Sequence, residues 1–527
     1  MKTPAIMILG TGSHVGKSML TTALCRIFSQ AGYRVAPFKA QNMSLNSAAT
    51  PEGLEIGRAQ ALQAEAAGIP ASVHMNPVLI KPSGEVSSQV IVRGRIWANL
   101  TAENYFQRRT KELVPFIRES YEILAAQNEL MILEGAGSPA EINLKDRDIA
   151  NLLMAKTADA RCVLVGDIDR GGVFASLLGT LALLDPAERD QIEGFIINKF
   201  RGDLGLLLPG VRAIEQRMGK PCLGIVPFLH GLTLDEEDSV SIEQRTSSAW
   251  TADSSPLRPI RIAIVSFPSI SNFTDFDPLV AEPSVNVRFC HTAEDLAGAD
   301  LIILPGAKQT VADLRWMRMR GLDRLVLSHA DEGVVLGICG GMQMLGMMIE
   351  DPYAVEGGGE KEGLRLLPIR TVLAQEKTTR EAKGDLLLSQ LFGQPLPSST
   401  VRGYEIHVGQ TDYLDGAAAF ARIQRTGAAD RVVLDGCVGQ QGRVIGTYLH
   451  GIFHHDEFRH SFLRALRSFC RLEQPPSFSQ WTELREQQLD RLADSVSTAV
   501  DLRTMLGWVG LPWPAEPKQK ERCVSRP

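Results

Sequence analysis

The sequence lacks the features that mark a membrane protein or a secreted protein. No uninterrupted apolar run of about 18 residues occurs, so we predict no membrane-spanning helix. The first four residues lead directly into a short strand pattern rather than into the apolar core of a secretory signal. Eight cysteines are scattered without a C-x-x-C pair or a spacing typical of disulfides, which favours a reducing cytoplasm.

Strong charge of either sign is also missing. The net charge is -6 and the isoelectric point is near 6.0, so electrostatics gives no reason to expect nucleic acid or a membrane surface as a partner. A hydrophobic content of 44% and a charged content of 22% are those of an ordinary globular protein. The composition therefore predicts a cytoplasmic protein and leaves the oligomeric state open.

With 527 residues the chain is too long for one hydrophobic core. Acidic residues at 235–238, followed by a stretch rich in Ser, Thr and Pro, mark a boundary. We predict a first domain at 1–238, a linker at 239–258, a second domain at 259–471, and a C-terminal helix and tail at 472–527. The helix is expected to pack on a domain because apolar residues keep a helical period, and the tail from Glu516 is expected to be disordered.

Short apolar runs alternate with helical patterns throughout both predicted domains. This alternation predicts an α/β fold with two doubly wound, mostly parallel sheets, in which the loops that follow the strands meet at one edge of each sheet.

A glycine-rich turn near the N-terminus has the surroundings of a phosphate-binding loop. The strand pattern Ala5–Leu9 precedes the sequence G-T-G-S-H-V-G-K-S, and a helical pattern follows. Backbone N–H groups in such a turn point at one anion, the lysine adds positive charge, and the serine hydroxyl can bind Mg²⁺. The alternative is a glycine turn with only a structural role. The residues expected to bind ATP are Thr11, Gly12, Gly16, Lys17 and Ser18, with Ser18 also a metal ligand.

The loop departs from the strict pattern G-x-x-x-x-G-K-[ST], because Thr11 stands where the first glycine belongs. The form G-T-x-x-x-V-G-K-[ST] is similar to that of dethiobiotin synthetase and its ATP-dependent relatives.

Polar residues follow other strand patterns at the edge where open α/β sheets bind ligands. Glu134 ends a buried-strand pattern, and a carboxylate beside a phosphate loop is well placed to bind Mg²⁺. Asn198 also follows a strand pattern and is expected to contact the nucleotide base. The remaining candidates are expected to contact substrate, and they are Lys39, Gln41, Asn42, Ser44 and Asp146. The alternative for these residues is a polar turn, and for Asp146 or Asp148 it is helix capping.

A second strand–turn–helix pattern surrounds Cys339. Apolar residues at 334–338 predict a buried strand, and apolar residues between 342 and 347 suit one face of a helix. The intervening glycines permit a sharp turn that holds the thiol at the carboxyl edge of the sheet. Free N–H groups of the helix lower a thiol pKa and can stabilise an oxyanion, so Gly340 is an expected oxyanion donor. The alternative is a buried structural cysteine.

Two further segments supply partners for this thiol. His450 follows the apolar stretch 444–449, where a histidine can serve as base to Cys339. The apolar run 301–304 ends in a turn whose Gly306 is the second expected oxyanion donor.

The motif G-I-C-G-G-M-Q with a later histidine resembles a class I glutamine amidotransferase domain. The resemblance implies that the cysteine releases ammonia from L-glutamine through a γ-glutamyl thioester. That class usually has a glutamate two residues after the histidine, whereas Ile452 occupies this position here. The group that orients the imidazole is therefore not identified by the sequence.

The chain resembles the cobyric acid synthase family over nearly its whole length. The resemblance lies in K-A-Q-N-M-S, N-P-V-L-I-K-P, L-E-G-A-G-S-P-A-E-I-N-L, G-D-I-D-R-G-G-V-F and I-I-N-K-F-R-G-D, together with the amidotransferase motif. It implies an enzyme of cobalamin biosynthesis that uses ATP, Mg²⁺ and glutamine to amidate four carboxylates of a corrinoid polycarboxylate, adenosylcobyrinic acid a,c-diamide. Two alternatives are a cobyrinic acid a,c-diamide synthase of the same architecture and a ParA-like ATP switch with an inactive amidotransferase domain.

The two predicted sites suit one reaction. A carboxylate is a poor electrophile, so its amidation requires conversion to an acyl phosphate, for which the phosphate-loop domain is suited. Ammonia from Cys339 would then attack that acyl phosphate, and direct transfer would keep the ammonia from becoming ammonium.

Overall fold

We describe the protein from a computed structural model. It covers residues 2–83, 87–232, 234–235, 250, 255, 257–396, 400–426 and 432–514. Most of the predicted linker and the whole of the predicted disordered tail lie outside the described residues.

The first half of the chain contains strands and helices in regular alternation after residue 101. Its strands are β1 (Ala5–Gly10), β2 (Val35–Phe38), β3 (Gln41–Met43), β4 (Ser47–Ala49), β5 (Glu55–Gly57), β6 (Val78–Ser83), β7 (Ser87–Val92), β8 (Arg95–Thr101), β9 (Leu130–Glu134), β10 (Arg161–Asp167), β11 (Ile192–Phe200) and β12 (Cys222–Pro227). Its helices are α1 (Lys17–Gln30), α2 (Arg58–Ala67), α3 (Ala102–Ala125), α4 (Leu152–Ala158), α5 (Val173–Leu183), α6 (Pro186–Arg189) and α7 (Leu204–Met218).

Six of these strands form a parallel sheet in the order β12-β11-β10-β1-β9-β2. Every residue of β1 and β9 is buried, as expected for central strands covered by helices on both faces. Alternate residues of β1 enter two separate apolar clusters, one on each face of the sheet. The loops after β1, β9 and β10 consequently meet at one edge. The segment between β2 and α3 forms a smaller sheet, β3-β6-β7-β8, and the hairpin β4–β5.

The second half has a parallel sheet and a further, mainly antiparallel one. Its strands are β13 (Ile260–Val265), β14 (Val285–Cys290), β15 (Leu301–Leu304), β16 (Val334–Ile338), β17 (Met348–Asp351), β18 (Gly359–Glu362), β19 (Ile369–Leu386), β20 (Gln390–Leu391), β21 (Gln394–Pro395), β22 (Thr400–Tyr413), β23 (Ala421–Arg425), β24 (Val432–Asp435), β25 (Cys437–Gly439) and β26 (Val444–Thr447). Its helices, with those that follow it, are α8 (Asp277–Val280), α9 (Ala293–Leu296), α10 (Thr310–Met319), α11 (Leu322–Glu332), α12 (Gly340–Leu345), α13 (Asp456–Phe469), α14 (Trp481–Ala499) and α15 (Leu502–Trp508).

The parallel sheet of the second half has the order β14-β13-β15-β16-β26-β25, in which only β25 runs antiparallel to its neighbour. The two large sheets confirm the predicted α/β fold. The antiparallel sheet, β18-β17-β19-β23-β24 with β22 paired to β19, was not predicted. Its long strand β22 faces the first half, where Tyr404 and Ile406 form an apolar contact with Ala49.

The C-terminal helix α14 packs on the first half of the chain, so the prediction that it packs on a domain is confirmed. Leu489, Leu492 and Val496 enter the apolar cluster on one face of the first sheet. Arg26 of α1 forms ion pairs with Glu486 and Asp490 of α14, at 2.6 and 2.8 Å. Among the helices that the structure describes, none is both long and apolar enough to cross a bilayer.

Candidate active site

The predicted phosphate loop connects β1 to the N-terminus of α1. Gly16 has φ of 96°, a conformation that favours glycine, and a Cβ there would lie 2.1 Å from Nδ2 of Asn198. Lys17 folds back over the loop, where its Nζ donates to the carbonyls of Gly12 at 2.8 Å and Gly137 at 3.0 Å. A loop of this shape before a 14-residue helix fits a nucleotide phosphate, because N–H groups and the helix dipole favour an anion there.

Glu134 lies at the centre of a buried polar cluster beside this loop and is 1% exposed. Its Oε1 accepts from Ser18 Oγ at 2.7 Å and pairs with Lys39 Nζ at 2.8 Å. Its Oε2 accepts from Nε2 of Gln63, on α2, at 2.7 Å. The adjacent hydroxyl and carboxylate oxygens are hard ligands of the kind that Mg²⁺ prefers, so the residues fit this ion. Gln63 was not singled out by the sequence.

Asn198 lies against the phosphate loop, where its Nδ2 donates to the carbonyl of Val15 at 2.9 Å. It therefore supports the loop backbone, and its contact with the nucleotide base stays a prediction.

The predicted substrate residues between 39 and 44 have different partners in the structure. Lys39 pairs with Glu134, the candidate metal ligand. Gln41 and Asn42 lie on β3. Gln41 Oε1 accepts from the Tyr105 hydroxyl at 2.6 Å, and Asn42 donates to Gln60 Oε1 at 3.1 Å. Ser44 Oγ accepts from the N–H of Asn46 at 3.0 Å.

Asp146 is exposed in a short 3₁₀ helix, Lys145–Arg147. The alternative of helix capping is wrong for both residues, because α4 has Asn151 as its N-cap and no side-chain cap. Asp148 Oδ1 instead accepts from the N–H groups of Ala150 at 2.9 Å and Asn151 at 3.0 Å, which precede the helix. Substrate contact by Asp146 stays a prediction.

The turn between β16 and α12 holds Cys339 in a strained conformation. Its φ of 52° and ψ of -110° are unusual for a residue with a Cβ. Its thiol donates to the carbonyl of Ile406 at 3.5 Å. The chain passes close to β15 here, since a Cβ on Gly341 would lie 1.9 Å from the carbonyl oxygen of Leu304. The predicted sharp turn is present, and the thiol sits at its apex.

His450 lies next to this thiol and is oriented by Asp275. The imidazole Nδ1 contacts Asp275 Oδ2 at 2.6 Å, and the ring also hydrogen bonds with the Cys339 sulfur. The other carboxylate oxygen accepts from the N–H of Gly451 at 2.9 Å and from the hydroxyl of Tyr404 at 3.4 Å. Asp275 thus occupies the position of the third group that the sequence left unidentified, although it precedes the histidine by 175 residues.

Burial alone would lower the pKa of His450, but the Asp275 carboxylate and the Cys339 sulfur together raise the pKa of this imidazole to about 10. The imidazolium is therefore the favoured form at neutral pH. An imidazolium beside the Cys339 sulfur can give its proton to a group that leaves during reaction at that sulfur.

The two glycines predicted as oxyanion donors lie close to this pair and to each other. A Cβ on Gly306 would lie 2.9 Å from Cε1 of His450. A Cβ on Gly340 would lie 3.1 Å from the backbone nitrogen of Ala307, the residue after Gly306. The structure therefore brings both glycines to the thiol, and their role as donors stays a prediction.

The two halves of the chain meet through buried polar contacts. Glu55 pairs with Lys81 of the first half and Lys377 of the second half, both at 2.6 Å. Burial lowers the pKa of Lys81 to about 8 despite its pairing with Glu55. Lys308 Nζ donates to Gln89 Oε1 across the same contact at 3.0 Å.

Comparison with known families matches both halves. Residues 6–242 match the CobQ/CobB/MinD/ParA nucleotide binding domain, and residues 261–458 match the CobB/CobQ-like glutamine amidotransferase domain. These matches agree with the phosphate loop in the first half and the thiol–imidazole pair in the second.

Curated relatives are similar over nearly the whole chain. A cobyric acid synthase of Moorella thermoacetica is 48% identical over 97% of this chain and 98% of that protein. Another, from Caldanaerobacter subterraneus subsp. tengcongensis, is 46% identical over 94% of this chain and 97% of that protein. A third, from Chloroflexus aggregans, is 49% identical over 88% of this chain and 92% of that protein. The chain therefore belongs to the cobyric acid synthase family.

Proposed function

We propose that the protein converts adenosylcobyrinic acid a,c-diamide to adenosylcobyric acid by amidating its b, d, e and g carboxylates. Membership of the family makes the chain an ATP-dependent, glutamine-hydrolysing amidoligase of cobalamin biosynthesis. The observation that carries the proposal is the presence of two sites in one chain: Cys339 with His450, and a phosphate loop with Glu134. The identity of the relatives disfavours a cobyrinic acid a,c-diamide synthase and a ParA-like switch.

At the glutaminase site, the Cys339 thiolate attacks the side-chain amide carbon of glutamine. The N–H groups of Gly306 and Gly340 stabilise the oxyanion of the tetrahedral intermediate. His450 gives its proton to the departing nitrogen, so ammonia leaves and a γ-glutamyl thioester remains. The same imidazole then takes a proton from water, which hydrolyses the thioester to glutamate. Asp275 holds the imidazole in the orientation that both proton transfers require.

At the phosphate loop, Lys17 would balance the negative charge of the phosphates, and Ser18 with Glu134 would hold Mg²⁺. Bound ATP supplies the phosphoryl group that turns a carboxylate of the substrate into an acyl phosphate. The remaining candidates, Lys39, Gln41, Asn42, Ser44 and Asp146, are proposed to position the corrinoid, and Asn198 is proposed to contact the base. Ammonia displaces the phosphate and leaves an amide.

We further propose the domain division 1–238, 259–471 and 472–527, and a cytoplasmic location. Separate apolar clusters in the two halves support the boundary between 1–238 and 259–471. The described cysteines are all free thiols, which supports a reducing compartment.

The proposal is tested by Cys339→Ala, with corrinoid products counted by mass spectrometry, since each conversion of an acid to an amide lowers the mass by about one dalton. We expect glutamine-dependent amidation to be lost and amidation with high concentrations of ammonium salt to persist. Cys470→Ala removes a thiol remote from both sites and should leave both activities unchanged. Full glutamine-dependent activity in Cys339→Ala would refute the assignment.

A further inference from the structure

Three lysines meet at the contact between the two halves of the chain: Lys81 on β6, Lys377 on β19, and Lys308. Among the described residues, the carboxylate at ion-pair distance from this cluster is that of Glu55. Its Oε1 pairs with Lys81 and its Oε2 with Lys377, both at 2.6 Å. The cluster therefore has more cationic groups than its carboxylate can pair, and Lys308 is the lysine left over.

Lys308 has a neutral partner instead. Its Nζ donates to the amide oxygen of Gln89, on β7 of the first half, at 3.0 Å. Glu55 and Glu356 act on it only from beyond ion-pair distance. Burial and the charges of the other two lysines lower the pKa of Lys308 to about 7. An anion placed against this amine would offset both effects and favour its charged form.

The loop that carries Lys308 also borders the reactive thiol. The preceding residue, Ala307, has its backbone nitrogen 3.1 Å from the position of a Cβ on Gly340, the residue after Cys339. The negative charge of the Cys339 sulfur acts on Lys81 of the lysine cluster. The thiol and the lysines are therefore within electrostatic range of each other.

Glutamine brings an anion of suitable reach to this place. When its side-chain amide carbon lies at the Cys339 sulfur, its α-carboxylate is four carbon–carbon bonds away, which is about 5 Å in an extended conformation. Lys308 is only partly buried and lies on the loop beside the thiol, so its amine is accessible to a ligand held there. A hydrogen bond between an ammonium group and a carboxylate is among the stronger polar contacts.

We propose that Lys308 is a specificity-determining residue that binds the α-carboxylate of glutamine. The inference rests on the proposed function, because it requires glutamine to be held at Cys339. Gln89 holds the amine from the opposite side of the contact, so a side chain of the first half supports the glutamine site. A primary amide without a carboxylate at this distance is then a poor substrate.

The preference for glutamine over 4-aminobutanamide tests this assignment, because the analogue keeps the amide and the amino group but lacks the carboxylate. In the complete reaction with ATP, Mg²⁺ and corrinoid, mass spectrometry measures the glutamate and 4-aminobutyrate formed. We expect kcat/KM of the unchanged protein to be roughly 10²-fold or more higher for glutamine. In Lys308→Met, kcat/KM for glutamine should fall by roughly 30–100-fold, chiefly through KM, while that for the analogue stays within about threefold.

Three further variants complete the experiment. Lys308→Arg should restore most of the preference, because it keeps a cation within reach of the carboxylate. Lys383→Met is the matched control, because it removes an exposed lysine of the same half and should leave both substrates unaffected. Lys308→Gln keeps a hydrogen-bonding group opposite Gln89 without the charge, and it provides the second test if Lys308→Met does not fold.

An unchanged preference in both Lys308→Met and Lys308→Gln would overturn the inference, as would an unchanged protein that uses the analogue as well as glutamine. A rise confined to the KM of the corrinoid would also overturn it, because the amine would then bind a carboxylate of the other substrate. None of these results alters the outcome expected for Cys339→Ala, so the two proposals fail separately.

Discussion

The turns at Gly16 and Cys339 share one architecture and use it for opposite purposes. Each follows a buried parallel strand, adopts a positive φ and opens a helix at the carboxyl edge of its sheet. At the first turn the residue is glycine, so the backbone itself faces the ligand. At the second it is cysteine, so a side chain is held out for reaction. The residue type in the strained position therefore indicates whether the main chain or a side chain performs the chemistry.

The side chains around the two turns also differ, in accordance with the chemistry of each turn. Glu134, beside the first turn, bonds to Ser18, Lys39 and Gln63 and suits a cation with phosphate. At the second turn the Asp275 carboxylate faces the His450 imidazole, which suits proton transfer. We therefore expect changes at the first turn to affect amidation with any nitrogen source, and changes at the second to affect glutamine use alone.

The largest expected effect is a loss of amidation when the first turn is changed, while glutamine hydrolysis at the second turn persists. Lys17→Ala removes the charge that lies over the phosphate loop, so amidation with glutamine and with ammonium salt should both fall by roughly 10³-fold. Glutamine hydrolysis without nucleotide should remain within about threefold of the unchanged protein. Mass spectrometry of the corrinoid products measures amidation, and a glutamate assay measures glutamine hydrolysis. Ammonium-dependent amidation near the normal rate would mean that the phosphate loop does not act in the reaction.

A smaller effect is expected at the group that orients the imidazole. Asp275→Asn removes the carboxylate that raises the pKa of His450, so glutamine hydrolysis should slow by roughly 10–100-fold. Because the imidazolium is the proton donor, the alkaline limb of the pH–rate profile should move to lower pH. Ammonium-dependent amidation should be unchanged.

The loss of stability in Asp275→Asn should be largest at low pH. A histidine whose folded pKa is raised from about 6.5 to about 10 stabilises the fold fully below pH 6.5, and this contribution is lost as pH rises to 10. Asp275→Asn should therefore be destabilised most at low pH, as measured by denaturant unfolding. Asp351→Asn is the control for the pH–rate profile, because it changes a buried carboxylate far from the imidazole. The alkaline limb of glutamine hydrolysis should stay in place in this variant. An unshifted limb in Asp275→Asn would contradict the role of Asp275.

The smallest effects test the strained positions themselves. Gly16→Ala places a Cβ at φ of 96° and 2.1 Å from Asn198, so the free energy of unfolding should fall by about 1 kcal/mol and nucleotide affinity by about tenfold. Cys339→Gly should be more stable than Cys339→Ala by about 1 kcal/mol, because only glycine relieves the strain. Denaturant unfolding measures the stability of the Gly16 variant and of the two Cys339 variants. Equal stabilities of the two Cys339 variants would show that the turn is not strained.

The sequence was sufficient where a function lies in one short segment. The phosphate loop and the thiol turn each combine strand, glycines and helix within about 20 residues, so local patterns predicted them. Glu134 was predicted for the same reason, since it ends a buried strand next to the loop in the sheet.

Groups that arrive from distant segments could not be predicted in the same way. Asp275 lies in a short 3₁₀ helix, Phe273–Phe276, with no periodicity or motif to single it out. Gln63 is one polar residue on an alanine-rich helix, and only the fold brings it to Glu134. The antiparallel sheet was missed because its long strands carry mixed polar and apolar residues that match neither simple period.

The return of α14 to the first sheet affects the order in which the chain matures during synthesis. Leu489, Leu492 and Val496 cover apolar residues of α1 and β1 that emerge from the ribosome more than 400 residues earlier. The nucleotide-binding body thus keeps an uncovered apolar face while the whole amidotransferase half is translated. Chains that stop before residue 481 are consequently expected to aggregate or to recruit chaperones, even though every residue of both reaction centres has already been made.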